Sequence, residues 1–178
     1  MNTGQMFTVL GALVLLSMVS LSINSMIINK TTTMLEAQAS LNAISLAQSM
    51  LDEIMTKSFD LATVSAKIYD PSDLTAPSSL GPSSSEASNV PLPDAANPFR
   101  SVKYYNDVDY YHRYRRIAST PTMGPFTILD TVYYVVETNP DQKSSTQTFF
   151  KKVIVTVTHQ NMTYPVKLSD VAIYRRYF

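Results

Sequence analysis

The sequence predicts an α+β chain, a long N-terminal α-helix packed on a C-terminal antiparallel β-sheet head. Three observations carry that expectation. Residues 1–29 hold no charged side chain, residues 30–62 hold neither Gly nor Pro, and beyond residue 99 the apolar period shortens to two. The first describes a membrane-grade segment, the second its unbroken continuation, and the third a set of strands.

Within residues 7–28 nearly every side chain is Val, Leu, Ile, Met, Ala or a small polar residue. That run meets the roughly 20-residue length at which an apolar helix spans a bilayer. A cleaved secretory signal fits less well, because no Lys or Arg precedes the run, it is too long, and no small-x-small site follows. The first cation is Lys30, on the far side. Either the orientation is set by something else, or a basic leader has been removed and Met1 is the first residue of the mature chain; the second is the favoured expectation.

Residues 30–62 carry the helix onward to about Lys57, since the two strongest breakers are missing. One helix of that extent is about 80–85 Å long, more than twice the thickness of a bilayer's hydrocarbon. Apolar residues recur at Met34, Ala37, Leu41, Ile44, Ala47, Leu51 and Ile54, spacings of three and four. This stripe needs a cover. Leu41, Ile44, Leu51 and Ile54 are expected to pack the helix on the head.

Residues 63–99 are a Pro/Ser-rich loop region, with Pro71, Pro77, Pro82, Pro91, Pro93 and Pro98 interleaved with serines. Regular structure there should be short, because Pro removes donors and Ser competes for the backbone. The stretch is read as a surface loop, with a subunit contact or an O-glycosylated surface as the sharper alternatives.

Residues 100–178 form the head. In 126–138 (FTILDTVYYVVET) Ile128, Val132, Tyr134 and Val136 share one strand face; in 148–159 Val153, Val155 and Val157 do the same. A turn at Gln160, Asn161 and Met162 leads to a strand over 164–177, and a further strand is expected over 110–118. Asn139-Pro140 reads as a turn signal. Three or four antiparallel strands result, one face buried against the helix.

Composition excludes several chemistries. At 178 residues there is room for one core and an extension. With no cysteine there are no disulfides, thiolate metal sites or thiol nucleophiles. A formal net charge of zero supplies no global attraction to nucleic acid. No Ser–His–Asp or paired-carboxylate arrangement stands out, so neither an enzyme nor a cofactor is expected. The segment YYNDVDYYHRYRR (104–116) mixes Tyr with Arg113, Arg115 and Arg116, which would suit base stacking, but packed aromatics with charged tips is the favoured reading. Asp107 and Asp109 fall short of a calcium loop, and the glycosylation patterns at Asn29 and Asn161 are short enough to arise by chance.

An uncharged apolar run that continues without a break into LEAQASLNAISLAQSMLDEIMTKSFD, then a loop, then strands, resembles the type IV pilin-like family. The wording LAQSMLDEI (46–54) is similar to the corresponding helix of minor pilins and minor pseudopilins, as are KKVIVTVTH and VKLSDVAIYRR. The chain departs from the family at Met1 and Gln5, where members usually have Phe and Glu, and it lacks the helix-breaking Pro and the C-terminal cysteine pair. The resemblance implies a subunit that polymerises through its helix core, at Met1, Gln5, Phe7, Leu10, Gly11, Leu13, Val14, Leu16, Leu21, Ile23 and Ile27. Small residues at Gly11, Ala12, Ser17, Ser20, Ser22 and Ser25 would let such helices approach closely. Gln5 would accept a hydrogen bond from a neighbour's α-amino group without neutralising it. The implied partners are further copies of the chain, the inner membrane before assembly, and the assembly and export machinery; the implied final place is an extracellular cell-surface filament. The alternative is a membrane-anchored β-domain acting as a single-copy binding module, or a minor pseudopilin of a secretion system.

Overall fold

A computed structural model describes residues 2–175 of the chain. Met1 of the expected helix core and the end of the expected last strand, beyond 175, lie outside the described residues. The chain divides into two units, a helical one ending at Gln38 and a head beginning at Ala39.

Helix α1 runs Thr3–Met55. Its last turns belong to the head and bury Ala39, Ala43, Ala47, Met50, Leu51 and Ile54. The alanines stand four apart, on one line of the helix, and leave room for the sheet to approach. Leu51 and Ile54 are thus buried, but Leu41 and Ile44 are not: they are 69% and 45% exposed. Helical geometry supplies the reason. Two successive steps of three residues separate Leu41 from Ala47, and each step falls short of a full turn, so Leu41 points about 120° away from the packed line.

The helix ends because the next backbone groups find partners in the head. The amide of Lys57 bonds Ile54 O in a tightened last turn, the amide of Ser58 donates to Asn106 O, and Ser58 O accepts from Val108 N. Helix α2 (Leu61–Ser65) follows at once, opened by Asp60, whose side chain accepts from the Ala62 amide while Thr63 caps the Asp60 amide.

The Pro/Ser-rich region holds only short structure: 3-10 turns at Pro71–Asp73 and Pro77–Ser79, then α3 (Ser84–Asn89), with α4 (Arg100–Tyr104) just beyond it. Leu74 and Val90 pin it to the core.

The sheet has five strands, β1 (Arg115–Thr120), β2 (Gly124–Val136), β3 (Asn139–Lys143), β4 (Phe150–Thr158) and β5 (Val166–Ile173), all paired antiparallel in the order β1-β2-β4-β5, with β3 paired to β2. The long β2 is the spine. Phe126, Ile128, Val132 and Tyr134 point from it into the core, and Val132 lies opposite Val153 of β4, both fully buried. Gly124 opens β2 at φ +80°, and an added Cβ there would meet nothing, so backbone conformation rather than space calls for glycine at this turn.

Three expectations need correcting. The strand placed over 110–118 begins only at Arg115; Asp109–Tyr111 is a 3-10 turn, because the Asp107 carboxylate takes the amides of Asp109 and Tyr110. Asn139-Pro140 is not a turn but the start of β3; the turn lies at Glu137 and Thr138. Pro140 is tolerated there because β3 pairs on one side only. The last strand starts at Val166 rather than Tyr164, which is 80% exposed.

Candidate assembly helix and the polar core of the head

The helical unit exposes its apolar side chains. Phe7, Leu10, Leu13, Val14, Leu16, Leu21, Ile23 and Ile27 are all between about half and three-quarters exposed. Together with Leu15, Met18, Val19 and Met26, which are as exposed, they surround the helix, so no single stripe of cover would bury them. Nothing within 4 Å would meet a Cβ at Gly11. Several hydroxyls in this stretch bond back to the helix: Thr8 donates to Gly4 O, Ser17 to Leu13 O, Thr31 to Ile27 O and Thr33 to Asn29 O. Each such bond satisfies a polar group within the helix, which leaves a surface suited to apolar surroundings. The unit is long and apolar enough to cross a membrane. A hollow along one side of it, past Ser22, Met26 and Asn29, is lined by this helix alone and is open to solvent.

The head carries polar chemistry of a different kind, in its interior. Strand alternation turns Lys151 inward on the same face of β4 as Val153, Val155 and Val157. Its ammonium group, wholly buried, donates to Phe59 O at 2.8 Å, Asp60 Oδ2 at 2.8 Å and Asp109 Oδ1 at 2.6 Å. The rings of Phe59 and Tyr134 lie 4.4 and 5.0 Å from it. Burial pushes the Asp60 carboxyl up, but the Lys151 ammonium and the amides of Ala62 and Thr75 outweigh it and hold Asp60 below its ordinary range. Asp109 is raised by burial despite Lys151. Asp107 beside it is pushed up to about 8, by burial first and by Asp109 second.

A second buried pair ties α1 to the sheet. Arg116 Nη2 donates to both oxygens of Glu53, at 2.7 and 2.8 Å, and Tyr111 OH donates to Glu53 Oε1 at 2.8 Å. Arg116 Nε reaches Tyr114 OH, which bonds Asp94. Tyr105 packs edge-on against Tyr110, Tyr111 and Tyr114. These tyrosines and Arg116 are all buried; their ring faces are spent on one another and are not offered to bases. Asp130, inward on β2 and fully buried, has neither oxygen bonded, and burial raises its carboxyl well above the usual range.

The structure therefore separates two sets of residues. The expected assembly residues, Met1 apart, lie in the helical unit, whereas Leu51 and Ile54 join the core of the head. The sequence reading names Arg116 only as a charged tip among the tyrosines, and gives no role to Asp60, Lys151, Glu53 or Asp130. The available signal was parity: Lys151 and Asp130 occupy positions in their strands that alternation assigns to the core. Among the described residues no group of three or more His, Asp or Glu is placed to hold a metal ion. No protein-family model, no curated protein and no solved structure matches the chain.

Proposed function

We infer that this chain is a structural subunit of an extracellular helical filament of the type IV pilus kind, polymerising through its apolar N-terminal helix. The observation that carries the reading is the bare apolar helix: its large side chains from Met6 to Ile28 are all about half exposed or more. A surface of that kind does not persist in water, and monomeric proteins rarely leave one uncovered. Lipid covers it in a membrane, and other copies of the same helix cover it in a polymer. Repeated contacts that do not close on themselves generate a helical filament. In this reading the subunit waits in the inner membrane and is handed by an assembly and export machinery into the growing polymer.

The test is electron microscopy of material sheared from the surface of cells expressing the chain, with mass spectrometry of what is recovered. Thin filaments composed mainly of this protein support the reading. Protein confined to the membrane fraction and never polymerised replaces it with the single-copy anchored β-domain.

A further inference from the structure

Lys151, Asp109 and Asp107 form a cluster that a plain ion pair does not fully explain. The Lys151 and Asp60 side chains are fully buried and that of Asp109 is 2% exposed. An ammonium and a carboxylate removed this far from water incur a desolvation penalty that their attraction repays only when every lone pair is satisfied. Here it is not: Asp109 Oδ2 and Asp107 Oδ2 are both buried and unbonded. We propose that Lys151 and Asp109 condense within the folded head, joining Nζ to the Asp109 side-chain carbonyl carbon as an intramolecular amide.

The two carboxylates around Lys151 are not equivalent, and that selects the acceptor. Asp60 is held as an anion, with Oδ1 accepting from Ala62 N and Thr75 Oγ1 and Oδ2 from Thr75 N. A carboxylate so held is a poor electrophile. Asp109 Oδ1 touches Nζ at 2.6 Å while its other oxygen is held by nothing. Burial raises the Asp109 carboxyl and favours its neutral, electrophilic form. Proton transfer from Nζ to Asp109 gives an amine and a carboxylic acid. The nitrogen lone pair then attacks the side-chain carbon. Asp107, protonated below about pH 8, gives its proton to the departing hydroxyl and regains one from the nitrogen. In net, two of the three ammonium protons leave with one carboxyl oxygen as water, the third stays on the amide nitrogen, and nothing is oxidised or reduced. Amine and acid held in contact react as if at very high concentration, and a dry interior does not return the water. The product replaces the Lys151 ammonium, the Asp109 carboxylate and one orphaned oxygen with a neutral amide, and leaves Asp60 to the Ala62 and Thr75 amides and the Thr75 and Tyr134 hydroxyls. It would link strand β4 to the 3-10 turn before β1 in a chain that has no cysteine for a disulfide.

The measurement is the intact mass of the full-length chain purified in detergent, followed by proteolysis and fragmentation of the peptides. The expected result is a deficit of about 18 Da, one water, with a branched peptide joining Lys151 to Asp109. The deficit should vanish in Asp109→Ala and in Lys151→Met. The proposal rests on the unaltered protein, so a variant that fails to fold does not decide it. The full mass of the polypeptide overturns it. So does a deficit without a branched peptide, which marks a cyclised aspartate, and so does a branch to Asp60 instead.

Discussion

At the scale of single residues, the head depends on charges placed where apolar side chains would be ordinary. Glu53 and Arg116 are 10% and 5% exposed at their side chains, and each is the other's counter-ion. Removing one partner leaves a buried charge, at a cost of about 3–5 kcal/mol. Glu53→Leu should therefore lower the unfolding midpoint in urea sharply, and the double change with Arg116→Met should recover most of the loss. A double variant as unstable as the single one would show that packing, not charge, is what Glu53 supplies. Asp107 makes a second prediction, with a sign opposite to ordinary acid denaturation. Its folded pKa is raised to about 8, while the unfolded group ionises near 4. Between those values the folded state holds a proton that the unfolded state has lost, so stability falls as pH rises through that window. The slope for one full proton is about 1.4 kcal/mol per pH unit. Asp130, raised by burial, acts in the same sense, as does Asp109 in chains where it has not condensed, and Asp60, lowered, acts only below about pH 4. Denaturation of the detergent-solubilised chain at pH 5, 6, 7 and 8 should show the decline, and Asp107→Asn should make it shallower by the share of one carboxyl.

At the scale of elements, legibility followed pattern strength. The helix was readable because an uncharged run and the lack of breakers both point one way. Strands β2 and β4 were readable because β-branched residues alternate. Strand β3, with the sequence NPDQK and all five residues exposed, has no apolar pattern to read; it exists because β2 offers it an edge. The packing face of α1 was half legible. Apolar residues stand on more than one side of 34–54, so a stripe through Leu41 and Ile44 looked as good as the alanine line that the sheet selects. The buried polar network was the least legible, since Lys151 and Asp130 look like solvent-facing residues until their partners, far away in sequence, are known. These faces behave differently under substitution. Ala43→Leu forces a larger side chain into a filled contact and should cost about 1–3 kcal/mol. Leu41→Ala, on an exposed position, should stay within about 0.5 kcal/mol. Urea titration of the two variants checks both; equal losses would mean that the alanine line is not the packed face.

At the scale of the whole molecule, the two units make separable demands. The helical unit needs an apolar cover from outside, and the head supplies its own core. Val14→Asp puts a charge in the apolar run, where insertion at a helix centre costs about 2.5–3.5 kcal/mol. It should abolish surface filaments while leaving the urea midpoint of the head unchanged. Filaments in normal number from the variant would remove the helix from the polymer's core.

The order of partners along the chain has its own consequence. The residues that close the head come last: β4 lies between β2 and β5, Lys151 reaches back to Asp60, and the Tyr174 hydroxyl accepts from the amide of Ile68. Contacts of such sequence separation make folding slow, and they cannot form until the late strands have been synthesised. The apolar helix, by contrast, is complete before the strands of the head are made. A ribosome making this chain thus exposes its most aggregation-prone segment long before a head exists to accompany it. On the proposed reading, the helix is best received by a membrane as it is made, before the β-sheet that follows it has formed.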